Sequence, residues 1–459
     1  MTFDPILAAV RFGNGLSPDV AAPASVSDML GLLSGPDVAA AAHPIPIFDD
    51  LYPSQWDMRL ASADIQNAEG EEAKAAAEQA LKDMRAEASE VWAQSTMQQL
   101  SRDVTTQDGM RERLVRFWAD HFTAPPTNGA WRYHVFPMIE QRVRPHISGR
   151  FSDMLRAAVM NPLMIQYLSQ THSIGPGSEV GQRTGRGLNE NMAREVLELH
   201  TLGAGGSYTQ TDVREFAELL TGLTYTARRG FSYEVNKTEP GAEVVLGQSY
   251  GGGEATLDQV LVALDDLAVH PDTARHLAQK LVVHFIGPAP DPDLVATMAA
   301  RYLDSGGQLI ALYEAMLTHA AAWAPELRRV KQPFGFVAAS LRALAVPAEE
   351  LTGKDYRVVA REFFRPLTAM GQTIHQPLGP DGWAEEDEAW ITPQGMAGRI
   401  TWAMQMPERM LDRLPDPRDF VFHALGPNPP EAVIFAAHAA ETVSDGIGLV
   451  LASSAFQRR

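Results

Sequence analysis

The sequence predicts a mainly α protein: a multi-helix globular chain with a long N-terminal helical arm and one small β-hairpin. Apolar residues recur every three to four positions along most of the 459 residues, which is the period of a helix packed on a core. Strict alternation of apolar and polar residues occurs at 231–235, and a short apolar run at 244–246 follows Pro240-Gly241. Apolar residues make up 45% of the chain, enough for a large core.

The periodicity divides the chain into four segments. The first is a Pro- and Ala-rich helical segment, and the second mixes alanines with charged residues as a solvated helical arm does. The third is a central helical core that contains an unusual polar motif and the β-hairpin, and the fourth is a helical region packed on that core. These predicted segments span, in order, 1–53, 54–104, 105–346 and 347–459.

Single helices are predicted from local periods and capping residues. Asp108 is placed to cap a helix over 108–122, and Thr209 or Thr211 a helix over 209–223. A Gly-rich segment, 173–187, precedes the polar motif. The remaining helices are predicted at about 130–147, 149–170, 256–269, 271–286, 291–305, 308–319, 327–345, 357–371, 393–413, 417–425, 430–441 and 443–456.

Charge and composition exclude several classes of protein. The chain has 38 Lys and Arg against 57 Asp and Glu, a net charge of −19, which argues against a general nucleic-acid binder. The absence of cysteine excludes disulfides, a cysteine nucleophile and thiolate metal sites. No basic segment precedes the first apolar run, and no run approaches the length of a membrane span. We therefore expect a soluble cytoplasmic protein, with a periplasmic location by co-export with a partner as the alternative.

The segment 189–203 contains the strongest functional signal. On a regular helix Glu190, Arg194 and Glu198 form a ladder four residues apart, with Asn191 and Glu195 beside it. One interpretation is a surface helix whose Glu–Arg pairs each contribute only about 0.2–0.5 kcal/mol. The other is that the polar arc lines an internal cleft, with the Gly-rich segment as its rim or lid.

Two histidines offer titrating groups near this helix. His121 ends the predicted helix 108–122. The helix dipole favours a histidine at that end, and the alternative is that His121 faces a cleft as a general base or metal ligand. His200 falls on the apolar side of its helix, as a core histidine does, and a ligand or acid–base role is the alternative. Glu195 and Glu198 are one turn apart, and Arg194 can neutralise Glu198, which leaves Glu195 free for an ion.

These arguments give a set of predicted site residues. The predicted catalytic residues are Glu195, Glu198, Arg194 and His121, and the predicted ligand-binding residues are Glu190, Asn191 and Asp212. A divalent metal, if one binds, is assigned to Glu195, Glu198 and His121. The string Gly247-Gln248-Ser249-Tyr250-Gly251 matches a nucleophile elbow in letters only, and we interpret it as the turn that leaves the hairpin.

Several motifs together resemble a known family. The segment 189–203, followed by Tyr208-Thr209, Asp212-Val213 and Thr221-Gly222, resembles the hallmark of the bacterial domain-of-unknown-function 1800 family. Five further stretches agree: Phe117-Trp118 to His121-Phe122, His270-Pro271 to Lys280-Leu281, Gly379-Pro380-Asp381-Gly382-Trp383 with Trp390, Arg399, and 452–459. The resemblance covers essentially the whole chain. It implies a mainly helical protein and supplies no activity.

The resemblance also implies a partner. Genes of this family often neighbour those of the domain-of-unknown-function 1501 family, whose proteins resemble exported alkaline-phosphatase-like enzymes. Relatives commonly have a His-Asp pair in the hairpin, where this chain has Thr238-Glu239, so any role of that pair is lost or passes to Glu239.

Two functions from different classes follow. The first is a partner or maturation protein for a neighbouring 1501-like enzyme, which would use the arm and the acidic surface. The alternative is a metal-assisted hydrolase-type enzyme with a carboxylate, histidine and arginine cleft. A small-ligand binder is a third possibility.

Overall fold

The computed structural model describes residues 3–126 and 129–459. About 62% of the chain is helical, which confirms the mainly α class. Asp108 and Thr209 cap their helices through their side chains, as predicted, with Thr209 part of a capping box with Asp212. Within the described ranges, no helix combines the length and the apolar character that crossing a membrane requires.

The helices follow one another with short connections. Those of the first 105 residues are α1 (Pro5–Leu7), α2 (Val26–Ser34), α3 (Val38–Ala42), α4 (Gln55–Asn67) and α5 (Glu71–Thr105). Those of the central part are α6 (Gly109–His121), α7 (Val135–Arg142), α8 (Phe151–Val159), α9 (Pro162–Tyr167), α10 (Glu179–Thr184), α11 (Asn191–Glu195), α12 (Gln210–Leu219), α13 (Leu257–Ala268), α14 (Pro271–Phe285), α15 (Pro292–Asp304), α16 (Leu309–Thr318) and α17 (Pro333–Ala343). Those of the last part are α18 (Ala348–Leu351), α19 (Tyr356–Val359), α20 (Arg365–Ala369), α21 (Pro393–Gln405), α22 (Pro407–Met410), α23 (Pro417–Leu425), α24 (Glu431–Ala439), α25 (Val443–Ala452) and α26 (Ser454–Gln457).

Shorter helical pieces join these elements. The 3₁₀ turns are Phe48–Asp50, Trp131–His134, Arg144–His146, Gln170–His172, Val235–Lys237, Ala320–Trp323 and Asp387–Ala389. The π-helical turns are Ala8–Phe12, Val196–His200 and Ala360–Phe364.

The β segment consists of two hairpins, where the sequence pattern had suggested one. Strand β1 (Leu223–Thr226) pairs antiparallel with β2 (Gly230–Tyr233), and β3 (Ala242–Val245) with β4 (Gln248–Gly251). Leu246 and Gly247 both have positive φ, as the tight turn of the second hairpin requires. The segment Gly247–Gly251 was interpreted as a turn that leaves the hairpin, but it forms the end of this turn and strand β4. Ser249 is exposed on β4.

Two hydrophobic clusters form the core. The first joins α1 and α2 with most of the chain from α6 to the 3₁₀ turn that ends at Trp323. The second joins the C-terminal half of α5 with α17 and the helices that follow it. The N-terminal half of α5, up to Glu87, is almost entirely exposed, whereas Trp92, Met97 and Leu100 in its other half are buried. The C-terminal half of α5 is thus embedded in the core, whereas Leu81 is the one buried residue of the stretch 71–87.

A buried ionic network connects α6 to the region around α7. The Arg144 guanidinium donates two hydrogen bonds to the Glu112 carboxylate, at 2.9 and 2.7 Å. Gln99 donates to the same carboxylate at 2.9 Å, and Arg144 also contacts Glu140 and Asp37. Glu112 is fully buried. Burial alone would raise the pKa of Glu112, but Arg144 overcomes this and lowers it to about 2.

Candidate functional site

The polar motif begins as α11 and continues as the π-helical turn Val196–His200. Met192, Val196 and Leu197 are buried and fix one side of the helix on the first cluster. The Thr201 hydroxyl donates to the Val196 carbonyl at 2.7 Å, which satisfies a carbonyl group where the wider turn ends. π-Helical turns often occur at functional sites, and this one rotates the residues after Glu195 away from their regular helical positions.

The first part of the polar arc lies on the surface. Arg194 contacts Glu190 at 3.1 Å and Gln210 at 3.0 Å, and its side chain is 44% exposed. Asn191 is exposed as well. For these residues the surface-helix interpretation describes the structure, and Arg194 pairs with Glu190 instead of Glu198.

Asp212 uses its oxygens for local structure. One oxygen accepts from the backbone and hydroxyl of Thr209, and the other accepts from the Leu246 backbone N–H at 2.8 Å. This carboxylate therefore caps α12 and fixes the turn between β3 and β4.

Glu195 is the residue of the arc that faces inward. It is half-buried, and its Oε2 atom is buried with no hydrogen-bond partner among the residues that the structure describes. Burial, the nearby Glu198 carboxylate and Asp381 together raise the pKa of Glu195 to about 7. The structure thus places Glu195 near a loop from the far end of the chain, whereas Arg194 pairs with Glu190 at the surface.

Three histidines from different helices lie close together near Lys280. His121 ends α6, His200 ends the π-helical turn, and His276 lies on α14; the His121 ring centroid is 5.8 Å from that of His200 and 6.3 Å from that of His276. Burial, Lys280 and the other two histidines lower the pKa of His121, and burial with Lys280 lowers the pKa of His276 to about 4. Burial, Lys280 and His276 also lower the pKa of His200 to about 3. All three rings are therefore neutral at pH 7.

Their hydrogen bonds leave several ring nitrogens unused. His121 Nε2 contacts the His200 carbonyl, and His276 Nε2 contacts the Leu199 carbonyl, each at 3.1 Å. His121 Nδ1 and both ring nitrogens of His200 are buried without a partner in the described part of the chain. Unpartnered buried polar groups are costly and often mark a functional site.

Lys280 and Asp120 form the electrostatic centre of this region. Burial lowers the pKa of Lys280, opposed by the nearby carboxylates Asp120, Glu385 and Asp381. Burial also raises the pKa of Asp120 to about 7, even though the Trp383 backbone N–H donates to both of its oxygens, at 3.0 and 3.1 Å. A carboxyl group with a pKa near neutrality is suited to exchanging protons at physiological pH.

The loop 379–387 completes the centre. Gly382 has φ of +87°, and a Cβ atom at this position would lie 2.7 Å from Asp120 Oδ2, so only glycine allows this approach. Trp383 and Trp390 pack with ring centroids 5.8 Å apart, and the Trp390 indole donates to the Ala384 carbonyl. The indole pair packs the loop on itself, and the hydrogen bonds from the Trp383 N–H to Asp120 hold it against the end of α6.

An ionic chain extends from this loop into the core. Glu385 contacts Arg329 and lies 2.6 Å from His284 Nδ1. Because the Arg113 guanidinium donates to His284 Nε2 at 3.1 Å, His284 is neutral and carries its proton on Nδ1. Burial would raise the pKa of Glu385, but His284, Arg459 and Arg329 lower it to about 2.

A preformed metal-ligand cluster exists elsewhere in the described residues. Only Glu215, Glu218 and Glu243 bring three possible ligand atoms within 4.8 Å of one another, so Glu195, Glu198 and His121 do not form such a group. Burial and the other two carboxylates raise the pKa of Glu243 to about 8. Glu243 therefore carries a proton at neutral pH when no cation is bound.

The Gly-rich segment is anchored on the β region. The Gly175 N–H donates to the Lys237 carbonyl at 2.9 Å, and the Gly177 N–H donates to Glu239 at 2.8 Å. A Cβ atom on Gly175 would lie 2.4 Å from the Glu239 backbone nitrogen. Glu239 therefore has a structural role in holding this segment, and the predicted lid is a packed element in this structure.

The comparison with known protein families identifies the chain. It matches the model of the family described as "Protein of unknown function (DUF1800)" over residues 21–458, so it belongs to that family. No curated protein and no solved structure matches it. The resemblance inferred from the motifs is thus confirmed, and the site has to be interpreted from its own geometry.

The motifs that carried the resemblance converge in space. Lys280 belongs to the segment 270–281 on α14. It lies close to the ends of α6 and of the π-helical turn and to the loop 379–387. The site predicted from sequence included His121, Glu195 and Glu198, but it omitted Asp120 and Lys280. The signal was present, because both belong to the stretches that carried the resemblance, but a single sequence does not show which separate motifs meet.

Proposed function

We propose that this chain is an enzyme that carries out acid–base chemistry, of the hydrolytic type, on a small molecule. The observation that supports this is the convergence of Lys280, Asp120 and three neutral histidines on one partly buried centre. In the proposal Asp120 exchanges the proton, and Lys280 stabilises negative charge that develops on the substrate. Glu195, with its raised pKa, serves as a second proton-exchanging group.

The test is turnover of chromogenic esters, phosphoesters and glycosides by the wild-type protein and by Asp120→Asn. The asparagine keeps an oxygen for the Trp383 N–H but cannot exchange a proton, so we expect kcat to fall by at least about 100-fold. Glu179→Gln, which removes an exposed carboxylate from α10, is the control and should retain the wild-type rate. The proposal fails if no class is hydrolysed, or if Asp120→Asn retains the wild-type rate on the class that is.

Metal assistance remains part of the proposal in the form that the sequence predicted. Glu195, Glu198 and His121 would have to move together to hold a divalent ion, because their ligand atoms do not cluster in the described structure. The same assay with and without EDTA separates the two forms. Loss of turnover with EDTA, restored by Mg²⁺, Mn²⁺ or Zn²⁺, supports a metal, and unchanged turnover argues for the Asp120–Lys280 pair alone.

A partner role is the second proposal, and the exposed N-terminal half of α5 favours it. This surface extends beyond the second cluster and contains Glu71, Glu72 and Glu78. We propose that it contacts a protein of the 1501 family, in the cytoplasm or after co-export. Co-purification with the product of a neighbouring 1501-family gene should be lost when these three residues are changed to lysine. Equal recovery with wild type and variant would contradict a contact through α5.

A further inference from the structure

A cavity of about 100 Å³ lies next to Asp120, bounded by α6, α17 and the segment from Gln372 to Trp383. One part of its wall is apolar and includes Phe136, Ile139, Phe334, Ile374 and Pro377. An apolar cavity of about 150 Å³ accommodates one benzene ring. The space is smaller than that, so it suits a ligand with a short apolar body of about four carbons.

Guanidinium groups occupy the other part of the wall. Arg113 and Arg459 line the cavity, and each is only 4% exposed. Neither forms a salt bridge within 3–126 and 129–459. Arg113 instead donates to the Gly13 carbonyl and to His284. The Nε and Nη2 atoms of Arg459 are buried with no partner in the same ranges.

The neighbouring carboxylates are engaged with other partners. Asp103 pairs with Arg116, and Glu385 pairs with Arg329 and His284. Two buried guanidinium groups thus face the cavity without a direct counter-ion. A buried cation without a partner costs several kcal/mol, and a carboxylate matches the geometry of a guanidinium with paired hydrogen bonds.

We propose that this cavity binds a small organic carboxylate, with its anionic group on Arg113 and Arg459 and its apolar body against Phe136, Ile139 and Phe334. Because Asp120 and Trp383 line the same cavity, a bound carboxylate lies beside the proposed acid–base centre. The inference thus names the substrate class for that centre and rests on the proposed function in that respect. The binding site itself requires no turnover.

The test is calorimetric titration of the wild-type protein with butyrate in a buffer of low chloride concentration. Butyramide, which has the shape of butyrate without the charge, is the matched ligand control. We expect butyrate to bind with a dissociation constant below about 1 mM, and butyramide to bind at least 10-fold more weakly. Absence of butyrate binding, or equal binding of butyramide, overturns the proposal. Binding of inorganic phosphate in place of butyrate also overturns it.

Arg459→Met tests the charged part of the wall. Its Nε and Nη2 have no partner to lose, so we expect the ligand-free melting temperature to stay the same or rise, and carboxylate affinity to fall at least 10-fold. Arg183→Met, at an exposed position on α10, should leave the affinity unchanged. Unchanged carboxylate affinity in Arg459→Met, whatever the ligand-free melting temperature, would assign this arginine a purely structural role.

The two proposals fail separately. Carboxylate binding without turnover of any substrate supports the cavity and rejects the acid–base enzyme. Turnover of substrates that lack a carboxylate, without carboxylate binding, supports the enzyme and rejects the cavity proposal.

Discussion

Replacing Arg144 with methionine is expected to lower the free energy of unfolding at pH 7 by about 3–5 kcal/mol. The substitution leaves the fully buried Glu112 with Gln99 as its remaining hydrogen-bond donor, while the Glu140 and Asp37 carboxylates remain close by. Urea denaturation followed by circular dichroism measures the change. Arg183→Met is the matched control, because it removes an exposed arginine from an i, i+4 pair and should cost less than about 1 kcal/mol.

The pH dependence distinguishes a lost ion pair from lost packing. In the wild type the folded pKa of Glu112, about 2, is below its unfolded value. Its contribution to stability is therefore present above the unfolded pKa and decreases as the pH falls toward 2. Without Arg144, burial raises the folded pKa, so lowering the pH removes a charge that the variant cannot accommodate. The stability difference between wild type and variant should shrink on acidification, and a difference independent of pH would contradict the ion-pair explanation.

Replacing Trp118 with alanine is expected to cost about 3–5 kcal/mol, because this side chain is fully buried in the first cluster. Its indole N–H donates to the Tyr313 hydroxyl at 2.6 Å, and its ring packs against His121 with centroids 5.2 Å apart. The loss should therefore also displace His121. Thermal and urea unfolding measure the stability, and the NMR signals of the histidine ring protons report the displacement.

Two further variants separate packing from hydrogen bonding at this position. Trp118→Phe fills much of the space but removes the donor to Tyr313, so we expect a smaller loss of about 1–3 kcal/mol. Phe435→Ala removes an aromatic ring that is 73% exposed and should change the stability by less than about 0.5 kcal/mol. Equal losses for Trp118→Ala and Trp118→Phe would mean that the hydrogen bond, rather than packing, dominates.

Local patterns were sufficient to predict the helical class and several helix ends. Asp108 and Thr209 cap the helices they were expected to cap, because capping depends on residues within one turn. The number of hairpins was not predictable in the same way. The turn at Leu246–Gly247 requires positive φ at a leucine, which sequence preference disfavours.

The polar arc predicted at 189–200 assumed a regular α-helix, and the structure departs from one after Glu195. A regular helix places Glu190, Arg194 and Glu198 on one line, but the helix becomes π-helical after Glu195, and Arg194 pairs with Glu190 rather than with Glu198. Lys280 and Asp120 could not be assigned to the site from one sequence, because nothing local indicates that α6, α14 and the loop 379–387 meet.

The contacts of the Asp120–Lys280 centre and of its ionic chain join residues that are far apart in the sequence. Arg113 and His284, which share a hydrogen bond, are 171 residues apart, Asp120 and Trp383 are 263 apart, and His284 and Glu385 are 101 apart. Each contact closes a long loop, whose entropy is lost before the contact contributes to stability, and such non-local contacts slow folding. No short fragment of the chain contains both sides of these contacts. During refolding the hydrogen bonds of the capped helices should therefore form before this centre does, and the appearance of a competent site marks the completion of the tertiary fold.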